Sequence, residues 1–162
     1  MSQDKPLVAT ECNVSALTLL LCAASGEDLM GNVKFVMGTF HWVREYAKKV
    51  GLGARINNAY LDGLADHLAG SFMAGVGESD EDCGEVRDNF RILLGVASHQ
   101  MRSPKQRLLA MNAMVMVASR RAGNAEAENE ALDAMKDMAR ITEDEAEALL
   151  SHMGADVVTH RN

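Results

Sequence analysis

The chain has 162 residues, 48% of them hydrophobic and only 4% aromatic, and a formal net charge of -7. That length buries a core without disulfides or a structural metal, and a core of Leu, Ala, Val and Met favours helices. Acids spread over several segments are repelled by phosphate backbones, which argues against nucleic acid as a partner.

Residues 1–12 lack periodicity and are expected to form a flexible leader, with a single all-helical domain over 13–154 and a polar tail over 155–162. No basic n-region precedes the first apolar run. That run, residues 16–24, falls short of the roughly 20 apolar residues that cross a bilayer, so no transmembrane segment is expected. Cys12, Cys22 and Cys83 are odd in number and far apart, which fits a reducing, cytoplasmic location.

The first helix, over 14–24, is apolar nearly all round (Leu17, Leu19, Leu20, Leu21, Cys22), as in a segment enclosed by others, and Gly26 stops it. A second over 32–50 places Val33, Val36, Met37, Phe40, Val43, Ala47 and Val50 on one stripe, before Gly51 and Gly53. The third, over 54–74, carries Ile56, Tyr60, Leu61, Leu64, Leu68 and Phe72 at helical spacing. Ser79-Asp80-Glu81-Asp82 supplies a cap for a fourth helix with Val86, Phe90, Leu93, Leu94, Ala97 and Met101 inward.

Ser103-Pro104-Lys105-Gln106 starts a fifth helix, with Ser as cap, Pro at the first position and Gln placed to close a capping box. Apolar residues surround this helix, which places it in the middle of the bundle. A sixth over 125–140 is expected to bury Ala131, Leu132, Met135, Met138 and Ala139. Thr142-Glu143-Asp144-Glu145 is a capping box for a seventh helix through Leu149, Leu150 and Met153 to Gly154. The fold class is therefore all-α, a compact bundle of about seven helices. Residues 20–25 echo residues 115–119, each an apolar helix end leading through a Gly-containing turn, which suggests two related halves.

Motifs that carry chemistry are scarce. His41 and Glu45 lie one turn apart, the spacing at which two side chains share a metal, but a zinc site needs a third protein ligand that the local sequence does not supply. Paired Glu-x-x-His motifs, an EF-hand loop, a phosphate-binding Gly loop and a Gly-x-Ser-x-Gly elbow are all absent, so no active site is recognised and the reading leans away from an enzyme. The 11 methionines include a cluster at Met111, Met114, Met116, Met135 and Met138, suited either to core filling or to an adaptable partner groove. Trp42, Met111 and Met114 are the candidates for partner contact.

Three pieces carry a family resemblance: Val117-Ala118-Ser119-Arg120-Arg121-Ala122-Gly123, then Glu126, Glu128 and Asn129-Glu130, then Ile141-Thr142-Glu143-Asp144-Glu145. Together the stretch 108–153 resembles the second half of the TerB-like proteins of bacterial tellurite resistance and stress response, with a looser match at residues 23–28. The resemblance implies an all-helical fold of two similar halves with acidic turns that hold a metal ion. Ala122 and Ser25 stand where the family has Asp before Gly, which leaves Glu126, Glu128 and Glu130, with Glu27 and Asp28, as candidate ligands for weak divalent-cation binding and no expected cofactor. The function so implied is non-enzymatic partner binding in a stress or defence setting, with a protein partner or a homodimer as the assembly. The alternatives are a helical enzyme or ligand-binding protein with an interior site, and a phage or secretion accessory protein with a Met-rich helix-binding groove.

Overall fold

A computed structural model describes residues 6–76 and 83–154. Seven helices follow in order: α1 (Glu11–Ala24), α2 (Val33–Val50), α3 (Asn58–Val76), α4 (Cys83–Gln100), α5 (Pro104–Arg121), α6 (Ala125–Met138) and α7 (Glu143–Met153). No β-strand occurs among the described residues, so the all-α reading holds. None of these helices is long and apolar enough to cross a membrane.

The two helices whose sequences are apolar all round form the centre. α1 packs on α2, α4 and α5, while α5 packs on α1, α2, α6 and α7. Val14, Ala16, Leu17 and Leu21 of α1 and Leu108, Ala113, Met114 and Val117 of α5 are buried, joined by Leu64 and Leu68 of α3, Leu94 of α4 and Leu150 of α7. Each fully buried aliphatic side chain of this size contributes about 1.5–3 kcal/mol, so the two central helices dominate the stability of the bundle.

The helix starts follow local chemistry. Thr10, Asn32, Ser103, Asn124 and Thr142 each accept a hydrogen bond from the backbone N–H three residues on. Thr142 and Glu145 complete the expected capping box, with Glu145 Oε1 accepting from the Thr142 N–H at 2.9 Å. The proposed cap of α4 at residues 79–82 lies outside the described residues.

Several expectations need correction. The aperiodic segment before Cys12 is held in place from Leu7 onward: the Ala9 N–H donates to Ala54 O at 2.8 Å, the Ile56 N–H to Leu7 O at 2.9 Å, and Val8 pairs with Arg55 in one antiparallel bridge. Ala9 is fully buried and α1 begins three residues early, at Glu11. For the same reason α3 starts at Asn58, since 54–56 pair with 7–9 instead of coiling. On α6, Leu132 is 40% exposed and only Ala131 is buried, because α6 packs chiefly on α5 and one main neighbour covers a narrow stripe. Val50, Leu149 and Met153 are likewise exposed, each near a helix end where no neighbour covers it.

Candidate functional site

A grouping of two histidines and a carboxylate lies between α2 and α3. α2 turns Val36, Val43 and Ala47 inward, which leaves His41 and Glu45, one turn apart, on its outer side. α3 is started by Asn57, whose Oδ1 accepts from the Tyr60 N–H at 2.9 Å, and its packing against α2 brings His67 to Glu45. His67 Nε2 stands 3.5 Å from Glu45 Oε1, and His41 Nε2 stands 3.4 Å from Glu45 Oε2. One carboxylate is thus flanked by two imidazoles, one on each oxygen. The side chain of His67 is 23% exposed, against 49% for Glu45 and 71% for His41.

Two tyrosines support the cluster from below. Tyr46 meets Tyr60 edge to face, with ring centroids 5.1 Å apart, and its ring lies 5.7 Å from that of His67. Tyr46 reaches this position because residue 63 is Gly: a Cβ there would collide with the Tyr46 hydroxyl. Burial, followed by the Tyr46 phenol, pushes the Tyr60 hydroxyl up to about 12, and burial and then Asp66 raise that of Tyr46. The Tyr60 hydroxyl is a buried atom without a hydrogen-bond partner, whereas His67 Nε2, also buried, has the carboxylate of Glu45 beside it at 3.5 Å. Leaving the Tyr60 hydroxyl unpaired costs about 1–3 kcal/mol.

His67 is the residue that sequence reasoning missed. His41 and Glu45 were legible as a pair at helical spacing, but their third neighbour sits on another helix, where no spacing rule reaches it. As the side chains stand, no three His, Cys, Asp or Glu residues among those described meet at a point a metal ion could occupy.

The other candidate residues fall elsewhere. Glu126, Glu128 and Glu130 lie along the first turns of α6 behind the Asn124 cap, and the structure does not bring them together with a further acidic, His or Cys side chain as a ligand set. Glu27 and Asp28 are engaged in their own turn: Glu27 Oε1 accepts from Asn32 Nδ2 at 3.0 Å, and Asp28 Oδ1 from the Gly31 N–H at 3.1 Å. Met111 and Met114 are 8% and 4% exposed, inside the core, and Trp42, Met135 and Met138 are partly buried against it. These thioethers fill the contact between α5 and its neighbours and leave no open Met-lined groove at those two positions. Burial pushes the Cys22 thiol up to about 12, with a Thr39 hydrogen bond opposing and Glu27 adding, and burial followed by Glu11 raises Cys12. Neither is an activated nucleophile, which would need a lowered value.

The two halves of the chain do share a construction. At the end of α1 the N–H groups of Ser25, Gly26 and Glu27 donate to the carbonyls of Leu21, Ala23 and Cys22, and at the end of α5 those of Ala122, Gly123 and Asn124 donate to Ala118, Arg120 and Ser119. Gly26 and Gly123 have φ of 81° and 74°, the left-handed region that glycine occupies freely. Each turn leads to a helix capped by Asn, through Asn32 and Asn124. The correspondence sets Ser25 against Ala122, three residues from the Ser25–Ser119 register suggested by the apolar echo, because the glycine fixes the frame.

No protein-family model matches the chain, and no curated protein or solved structure matches it.

Proposed function

We propose that this chain is a TerB-like helical protein that works by binding a protein partner in a bacterial stress or defence setting. The observation that carries the reading is the matched pair of helix–turn–helix units: α1 and α5 end in the same three-bond glycine turn and each runs into an Asn-capped helix. α1 and α5 also pack on one another, with α2 and α6 on their flanks, as two related halves would.

Deleting the gene tests this reading. The deletion strain should be more sensitive to tellurite or oxidant, and the wild-type chain should restore resistance. Equal sensitivity of the two strains would refute the stress assignment.

A further inference from the structure

α4 has an outer face that no other part of the described chain covers. Phe90, Leu94, Ala97 and the following Met101 join the core, on the side where α4 packs on α1 and α3. On the opposite side Glu85, Asn89, Ile92, Val96 and His99 are all exposed, at alternating intervals of four and three residues. That alternation is the seam of a helix that pairs with another helix. Ile92, at 66%, is the most exposed large apolar side chain among the described residues, and Val96, one turn on, is 46% exposed. Single exposed apolar residues are ordinary, but two stacked one turn apart at mid-helix form one continuous apolar surface.

The charges along the seam indicate what covers it. Arg87 and Arg91 turn aside to α3, where they pair with Asp66 and Asp62, and Arg87 also touches Asp88. Glu85 and Asp88 then stand at the start of the exposed face, and His99 and Arg102 at its end. An order of acid, apolar and base matches its own reverse. A two-fold axis that lays one α4 head to tail on another sets acids against bases at both ends. A uniformly charged partner would gain at one end and lose at the other. The negative excess of the chain lies elsewhere, with nine acids against two bases over residues 125–153, so little like-charge repulsion falls on α4.

The same axis fixes a register. Ile92 meets the partner's Val96, Asn89 meets the partner's His99, and Asp88 lies beside the partner's Arg102. Gly95 meets its own equivalent at the crossing, where the lack of a side chain lets two backbones approach closely. Packing within the chain does not demand this glycine: a Cβ there would find only Arg91 Nη1, at an ordinary 3.5 Å.

We infer that the outer face of α4 binds the same face of a second copy of this chain, antiparallel, as a two-fold dimer centred on Ile92 and Val96 with an Asp88–Arg102 pair at each end. The inference stands apart from the partner-binding reading, since a dimer of the chain alone neither requires nor excludes another protein.

The test is sedimentation equilibrium of the purified full chain over a micromolar to millimolar range, where contacts at the small end of interface size dissociate. The mass should rise with concentration from 17.5 kDa towards twice that value. Ile92→Gln and Val96→Gln each remove an apolar anchor twice per dimer and should weaken it about tenfold or more. Val115→Gln, at an exposed apolar residue of α5, is the control and should dimerise like the wild type. Asp88→Arg and Arg102→Asp each set like charges together and should dimerise weakly alone, while an equimolar mixture of the two should recover the wild-type strength. All these side chains are exposed, so circular dichroism should report unchanged helicity. A wild type that stays at 17.5 kDa throughout would overturn the inference. So would a dimer that either Gln variant of α4 leaves intact, or a charge-swapped mixture no stronger than its components, which would deny the antiparallel register.

Discussion

Glu143, the first residue of α7, caps a helix that is not its own: its Oε2 accepts from Ser103 Oγ at 2.6 Å and its Oε1 from the Lys105 N–H at 2.9 Å. Ser103 Oγ in turn accepts from the Gln106 N–H at 3.2 Å, so the start of α5 is closed jointly by its own cap and by α7. A carboxylate at a helix N-terminus also opposes the positive end of the helix dipole.

Replacing Ser103 by Ala removes both hydrogen bonds of the hydroxyl and should cost about 1 kcal/mol or more, the usual loss for a Ser cap. Glu143→Ala should cost a similar amount, and the double variant less than the sum, since the two share one bond. Urea denaturation of the four proteins measures this. Strict additivity would show that Ser103 and Glu143 act independently.

Gly63 offers a test of the α2–α3 contact. Gly→Ala in a helix ordinarily gains up to about 1 kcal/mol, but here the new Cβ meets the Tyr46 hydroxyl and lies 3.0 Å from its Cζ. Gly63→Ala should therefore lower stability, by about 1–3 kcal/mol as overpacked sites do. Adding Tyr46→Phe removes the nearest atom and should recover part of the loss. Thermal melts of both variants check the sign, and a Gly63→Ala protein more stable than the wild type would refute this packing.

Tyr60 and Cys22 predict the alkaline limit of the fold. The Tyr60 hydroxyl is raised from its ordinary 10.0 to about 12, and the Cys22 thiol from 9.0 to about 12, in both cases chiefly by burial. A folded value above the unfolded one favours the protonated native state. Their contributions are therefore fully present below about pH 9 for Cys22 and pH 10 for Tyr60, and are lost as pH rises towards 12. Denaturation midpoints should fall over that range, less steeply in Tyr60→Phe. That variant also removes a buried hydroxyl with no partner, so it should be no less stable than the wild type at neutral pH. A marked loss of stability there would mean that the hydroxyl is paired.

Much of this fold is local and was legible in the sequence. The all-round apolar pattern of α1 and α5 placed both at the centre, and Ser103-Pro104 and Thr142–Glu145 start their helices through their own side chains. The features that escaped are those in which distant residues meet. The bridge between Val8 and Arg55 is too short to show a period, and Leu132 looks buried by spacing until α6 is seen to pack chiefly on one helix, α5. The capping box expected between Ser103 and Gln106 has its carboxylate from Glu143, on α7. The candidate site divides in the same way: His41 and Glu45 are neighbours by helical repeat, while His67 joins them only through the packing of α3 on α2.

The most direct test of the partner-binding account is the mass of the native complex. The tagged chain, isolated from its own host under tellurite or oxidant stress, should elute with a light-scattering mass above that of the 17.5 kDa chain and of its dimer. The second protein, expressed separately, should rebind the purified chain at the same stoichiometry. A chain that elutes alone or only with itself, stressed or not, would contradict the account.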